Sequence, residues 1–211
     1  MKKENSVVSG LHPRAYLSFT QLVMFEKSPE TYRKVYIEGQ PMGTNRGQAL
    51  GKEIAEAMEN DVETGNPLKD LVISQIPSYE RRDQLMYIDF KTNGITIPLC
   101  IRPDSCKDNL SAIYEIKTGV GPWTQKKVDE SDQLTFYATG LYIETKKIPE
   151  CELIWAPTHK VRGEDGVERP ELTGEIKRFK TIRRMSNVLN MMVRIKKDWD
   201  GIGKLMDNEI I

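Results

Sequence analysis

The run "SAIYEIKTG" (111–119) alternates in character, sending Glu115 and Lys117 to one face and Tyr114 and Ile116 to the other, as an extended strand does. Between Asp129 and Lys146 the spacing changes to that of a helix, with Leu134, Tyr137, Ala138 and Leu141 on one side. "CELIWAPT" (151–158) is then a second extended run. A strand, a helix and a strand in that order form a crossover, so the two strands lie in one sheet with the helix packed against it. This unit is the strongest constraint on the fold.

Antiparallel elements surround it. "QLMYIDFKTNGITIPLCIRPD" has two extended runs around Thr-Asn-Gly, and Asn-Gly suits the type I′ turn of a hairpin. After the polar loop "RGEDGVERP", the run "ELTGEIKRFKTI" is expected to return antiparallel. Helices are expected on both sides of these strands. Ser18 and Gln21 fit a capping box, with Leu17 and Leu22 as a hydrophobic staple, so a helix starts at Phe19. Ser28 and Pro29 start another, which Gly39 can close. "GQALGKEIAEAMEN" puts Leu50, Ile54, Ala57 and Met58 on one stripe, and residues 61–67 form a turn-rich exit. A long last helix begins near Thr181, with Ile182, Met185, Leu189, Met192, Trp199 and Ile202 on one face. The expected class is α/β, with a mixed central sheet flanked by helices.

At 211 residues the length suits one core, so a single domain over 1–211 is expected, with 1–16 as a flexible N-terminal segment. "MKKENSVVSG" has no apolar run behind its lysines, and no stretch reaches the length of a membrane span, so a cytoplasmic protein without membrane attachment is expected. The 31 basic and 31 acidic residues cancel, so affinity for a polyanion has to come from a local stripe. Lys177, Arg178, Lys180, Arg183 and Arg184, with Arg194, Lys196 and Lys197 beyond, are either such a stripe or a solvated face. Trp123, in a Gly/Pro loop, is either a base-stacking residue or an ordinary packed tryptophan. His12 and His159 are isolated and read as polar surface residues.

"RPDSCKDNLSAIYEIKTG" (102–119) carries the chemistry. If the strand ending at Asp104 pairs antiparallel with 112–118 in the right register, Asp104 joins Glu115 and Lys117. Two carboxylates and a backbone carbonyl are hard oxygen ligands of the kind Mg²⁺ prefers. A lysine beside them can orient or deprotonate a water.

"RPD", ten residues and then "EIK" resemble the PD-(D/E)xK nuclease superfamily, and the helix "QLTFYATGL" is similar to the QxxxY motif of its RecB-like, CRISPR-associated exonuclease-like branch, through Gln133 and Tyr137. The resemblance covers most of residues 17–158. It implies a restriction-endonuclease-like fold and an Mg²⁺- or Mn²⁺-dependent deoxyribonuclease. Asp104, Glu115 and the Ile116 carbonyl would hold the metal, with Lys117, Gln133 and Tyr137 as further catalytic residues. The branch usually carries a G-x-x-x-H motif, but here Ala55 stands at the histidine position, leaving Glu56 or Glu59 as substitute ligands. Cluster-binding members use four cysteines. Cys100, Cys106 and Cys151 do not fit that pattern, and Ser28 stands where one of the four would be, so no iron–sulfur cluster is expected.

DNA is the implied partner, in repair, recombination or phage-type processing, with self-association compatible. The chain lacks a GxxxxGK[ST] loop, so NTP hydrolysis would come from a helicase or recombinase partner. Two other readings stand beside the nuclease: a degenerate nuclease fold that binds nucleic acid or protein, and a metal-dependent phosphoesterase unrelated to DNA.

Overall fold

The computed structural model describes residues 14–42, 46–77, 80 and 85–207; residues 1–13 of the expected N-terminal segment, His12 among them, lie outside this range. β1 (Leu17–Ser18) runs into α1 (Phe19–Lys27) through the expected cap. The Ser18 hydroxyl accepts the Gln21 N–H at 3.4 Å, and Gln21 Nε2 reaches back to Ser18 Oγ and the Tyr16 carbonyl. Leu17 and Leu22 are fully buried beside it. Ser28 caps α2 (Pro29–Tyr32), which continues as a π-helical turn over Arg33–Ile37 and ends at Gly39, with φ +72°.

α3 (Arg46–Glu59) buries Leu50, Ile54, Ala57 and Met58 as expected. α4 (Pro67–Ile73) was not anticipated: Asn66 at the end of the turn-rich exit accepts the N–H groups of Leu68 and Lys69 and starts a helix with Pro67 in its first turn. β2 (Met86–Thr92) and β3 (Ile95–Ile101) form the expected hairpin, with Asn93 and Gly94 at φ +46° and +76°. β4 (Ser105–Cys106) and β5 (Ala112–Gly119) follow. α5 (Gln125–Asp129) ends where the crossover helix was expected to start, and α6 (Asp132–Thr145) begins after a short turn, where Ser131 caps it.

β6 (Glu150–Arg162) pairs parallel with β5 and completes the crossover. β7 (Glu168–Leu172) and β8 (Lys177–Ile182) both return antiparallel along it. The spacing of the sequence predicts one returning run. The structure breaks it: Thr158 faces Leu172 and Trp155 faces Lys177, so the returning chain has extra residues around Gly174, at φ +84°.

Among the described residues the strands form a three-stranded sheet, β1-β3-β2, and a larger one in which β5 and β6 are central. Period-two alternation divides the core between the faces of the larger sheet. Ile113, Leu153 and Trp155 pack with α1, α6, the small sheet and the last helix, α7 (Met185–Asp207). Tyr114, Ile154 and Ala156 pack with α3 and α4 on the other side. The result is a curled mixed sheet flanked by helices. At Gly140 of α6 a Cβ would lie 3.0 Å from Ile101, so a side chain there would push the small sheet away. No helix among the described residues is long and apolar enough to cross a membrane.

α7 differs from expectation in start and phase. Thr181 and Ile182 belong to β8, so the helix begins at Met185. Trp199 and Ile202 face inward as expected, but Met185 and Leu189 are exposed, and Val188, Met191, Ile195 and Asp198 are buried instead. Periodicity alone cannot choose between two apolar stripes, and one of these contains an aspartate.

Asp198 is 3% exposed and shares a hydrogen bond with Glu26 of α1, while Oδ2 has no partner. Arg194 binds Glu26 and also reaches Asp132 at 2.7 Å. Burial, with Glu26 beside it, pushes Asp198 up to about 6, whereas the hydrogen bond from Arg194 holds Glu26 below the usual glutamate range. A carboxyl raised on folding contributes stability below the ordinary aspartate pKa and loses it as pH rises through about 6. Asp198→Asn keeps a donor for Glu26 without ever ionising. Its melting temperature relative to the native protein should therefore rise between pH 4.5 and 7.5, by the equivalent of up to about 2 kcal/mol. Thermal melts across that range check this; a gap that does not change with pH would show that Asp198 is ionised at every pH tested or does not titrate with folding.

Candidate active site

The expected pairing of the strand before Asp104 with β5 does not occur. β3 lies in the small sheet, and β5 instead receives the two-residue β4, with Ser105 opposite Tyr114 and Cys106 opposite Ile113. The same register continued places Asp104 opposite Glu115 and Pro103 opposite Ile116. Lys107 N–H donates to the Ala112 carbonyl, so by antiparallel alternation the pair at 103 and 116 would also exchange hydrogen bonds. It does not do so in the usual way. The Asp104 carboxylate accepts the Ile116 N–H at 2.6 Å. The Ile116 carbonyl points to the same edge as its N–H, and Pro103 has no N–H to give it. Asp104 and the Ile116 carbonyl thus share one strand edge.

On the face of β5 toward α6, Lys117 Nζ donates to Glu115 Oε1 at 2.6 Å and to Gln133 Oε1 at 2.8 Å. Gln133 Nε2 donates to the Tyr137 hydroxyl at 2.9 Å. Gln133 and Tyr137 share this face because they are four residues apart on α6. Ser131 starts that helix just before Gln133, which sets its height above β5. Asp104, Glu115, Ile116, Lys117, Gln133 and Tyr137 are therefore brought together.

The electrostatics follow from burial. The Glu115 side chain is 5% exposed and that of Lys117 is 30% exposed. Burial pushes Glu115 above the usual carboxylate range, against the pull of Lys117. Burial also draws Lys117 down, but the Glu115 carboxylate more than offsets this and holds it above the ordinary lysine value. Glu115 Oε2 is buried without a hydrogen-bond partner, a costly state for an acceptor unless something else meets it. Two carboxylates and a main-chain carbonyl suit a hard divalent cation that keeps several water ligands. No group of three or more His, Cys, Asp or Glu side chains suited to a metal occurs among the described residues.

Glu56 and Glu59 are elsewhere. Glu56 pairs with Lys52 at 3.4 Å and Glu59 lies 3.8 Å from Arg102, both largely exposed. The wall of α3 that meets Asp104 is made by Gly51, Ile54, Ala55 and Met58, which close a cleft of about 30 Å³ with Ile116 and Thr118. Helical phase explains this: the stripe that packs on the sheet is apolar, and the glutamates fall outside it. Ala55, at the position of the missing histidine, does line the cleft.

Arg178, Arg183, Arg194 and Lys196 of the basic cluster are engaged within the fold, whereas Lys180 and Arg184 line one groove with Arg183. Arg178 binds Glu152 at 2.5 Å, Lys196 binds Asp200, and Arg194 is held by Glu26 and Asp132. Arg183 is buried, with its guanidinium donating to the carbonyls of Val128, Asp129 and Ser131 and to Thr181 Oγ1, so it braces the α5–α6 turn against β8. Trp123 is partly buried against the main core, and His159 is exposed on β6. Cys100, Cys106 and Cys151 are buried and not joined in disulfides. Pro103 is the site residue whose part was not recognised from sequence, although a proline at a strand end already signals a missing donor.

No family model and no curated protein matches the chain. Solved structures do. A candidate exonuclease from Eubacterium rectale superposes with TM-score 0.56 at 12% identity, covering 92% of this chain and 82% of the other. The protein SSO0001 superposes with TM-score 0.50 at 15% identity, covering 90% and 77%. An alkaline exonuclease from Laribacter hongkongensis aligns over 92% of each chain at TM-score 0.46 and 12% identity. At these identities the first two show a shared fold, the mixed sheet flanked by helices.

Glu115→Gln and Lys117→Met each leave one member of a buried pair without its partner. Each should cost on the order of 1–3 kcal/mol, and the double variant should cost less than the sum by about 1 kcal/mol or more. Urea unfolding of the four proteins measures the coupling; strictly additive losses would mean that the two side chains do not depend on one another.

Proposed function

We propose that the protein is a metal-dependent DNA nuclease of the PD-(D/E)xK type, similar to the RecB-like branch, acting as an exonuclease in DNA repair, recombination or phage-type processing. The observation that carries this reading is the orphaned Glu115 Oε2, buried beside an ammonium group at the edge where Asp104 meets Ile116. The shared fold with a candidate exonuclease supports it.

Asp104, Glu115 and the Ile116 carbonyl would hold Mg²⁺ or Mn²⁺, which when bound polarises a phosphoryl oxygen and acidifies water. Lys117 stays charged beside Glu115, so it serves first as a hydrogen-bond donor that orients the attacking water or a phosphate oxygen. Gln133 fixes the direction of that ammonium, and Tyr137 fixes Gln133. In the reaction, water adds to phosphorus, one P–O ester bond breaks, and the departing oxygen takes a proton. On the same resemblance, a helicase or recombinase would supply any NTP-driven step.

A second reading, a degenerate nuclease fold that binds nucleic acid or protein, rests on α3. Among its described side chains, that helix offers Gly51, Ile54, Ala55 and Met58 to the cleft and no ligand.

With Mn²⁺, the protein should degrade single- or double-stranded DNA, and Lys117→Ala should slow it by about 100-fold or more. Calorimetric titration should show a Mn²⁺ site that is lost in Asp104→Asn. Undiminished cleavage by Lys117→Ala would reject the assigned role, whereas salt-dependent DNA binding with no Mn²⁺ site would favour the binding module.

A further inference from the structure

Arg183 follows β8 directly and is 3% exposed. Its Nη1 donates to the Asp129 carbonyl and to Thr181 Oγ1, both at 3.0 Å, and its Nη2 donates to the carbonyls of Val128 at 2.9 Å and Ser131 at 3.0 Å. One guanidinium therefore gathers three main-chain carbonyls from the stretch 128–131, where the chain leaves α5 and enters α6. The Ser131 carbonyl also accepts the Thr135 N–H at 3.1 Å, and the Ser131 hydroxyl caps the Leu134 N–H, so the placement of Ser131 fixes the first turn of α6. Gln133 lies in that turn.

Charge alone does not explain this arrangement. The N-terminal end of a helix is the positive end of its dipole, where an anion is favoured and a cation is not. Burying the guanidinium also costs free energy, and its Nε is left without an acceptor. Asp129 and Asp132 offset part of that cost. An apolar side chain of similar volume would avoid it altogether, so what the arginine contributes is a fixed direction for three carbonyls. A planar fork holds them in one geometry, which the single ammonium of a lysine does not.

The reach of Gln133 depends on that geometry. Its amide is engaged at both ends, accepting from Lys117 Nζ at 2.8 Å and donating to the Tyr137 hydroxyl at 2.9 Å. Hydrogen bonds weaken steeply with distance and angle, so displacing the turn by about 1 Å would release one of the two. Lys117 would then be left with Glu115 and would turn toward it.

Resting on the nuclease reading of the Glu115–Lys117 pair, we infer that Arg183 is a positioning residue for that reaction: by holding the α5–α6 turn it sets where Gln133 meets the Lys117 ammonium, and so where the ammonium points.

The test compares Arg183→Lys, Gln133→Ala and the double variant with the native protein in Mn²⁺-dependent hydrolysis of DNA, well below their melting temperatures. Arg183→Lys should lower kcat by about tenfold and leave KM and Mn²⁺ affinity within about twofold. The double variant should be no slower than Gln133→Ala alone, because the arginine acts through that side chain. A brace that only held the fold together would lower the melting temperature and leave kcat as it is. If Arg183→Lys does not fold, Thr181→Val, which removes the hydroxyl acceptor of Nη1, takes its place with an expected loss in kcat of about threefold. The side-chain amide resonances of Gln133 in the metal-free protein, assigned by their loss in Gln133→Ala, give a reading without catalysis and should move in either variant. Unmoved resonances, an undiminished kcat, or losses that multiply in the double variant would overturn the inference. Resonances that move in a protein that cleaves nothing would keep Arg183 as the residue that places Gln133 and reject the nuclease. Cleavage that stays intact in Arg183→Lys, with the resonances in place, would do the reverse.

Discussion

The β4–β5 ladder stops at Pro103, which has no N–H to continue it, and the site is assembled on that ending. Where a main-chain carbonyl would have met the Ile116 N–H, the Asp104 carboxylate does so at 2.6 Å. That exchange anchors an acidic side chain to β5 without further pairing, at the edge toward which the Ile116 carbonyl also points. The neighbouring residues of β5, Glu115 and Lys117, then emerge toward α6 because side chains alternate along a strand. One truncated ladder therefore aligns two carboxylates, a carbonyl and an ammonium, and the parallel pairing of β5 with β6 holds the strand that carries them.

Charged groups are buried at several places, each relieved differently. Glu115 is paired with Lys117 through one oxygen and leaves the other without a donor. Arg183 has carbonyl and hydroxyl acceptors at both terminal nitrogens of its guanidinium, while its buried Nε has none, and these contacts brace the α5–α6 turn against β8. Asp198 shares a proton-mediated contact with Glu26 and is raised to about 6. A buried charge is costly unless it is paired, solvated by dipoles or neutralised. Of these groups, Glu115 alone lies next to the strand edge where Asp104 meets Ile116, and on the proposed reading a cation there would meet its orphaned oxygen.

Several features were legible in the sequence because they depend on near neighbours. The Ser18 cap, the Leu17–Leu22 staple, the Asn93–Gly94 turn and the strand-helix-strand unit require only local spacing, and the structure contains them all. Gln133 and Tyr137 were also readable as a pair, since four residues on a helix bring them to one face. What escaped depends on long-range competition. The two-residue β4 is too short for any periodic signal, and its presence moved β3 into another sheet. The phase of α7 followed the stripe that packs, which includes Asp198, because Glu26 and Arg194 were there to meet it. Glu56 and Glu59 were plausible ligands by spacing, yet α3 turned its apolar stripe to the sheet and left them in solvent. Arg183 read as part of a surface stripe until the α5–α6 turn folded over it.

The sequence by itself determined the elements, the crossover and the residue types able to bind a hard cation, because hydrophobic period, caps and turn residues act over one or two helical turns. Only the tertiary structure decided that Asp104 stands opposite Glu115, that Ala55 rather than a glutamate lines the cleft, and that Arg183 holds the turn before Gln133. Those outcomes depend on register and on which faces are buried together, and both are settled by contacts between segments far apart along the chain.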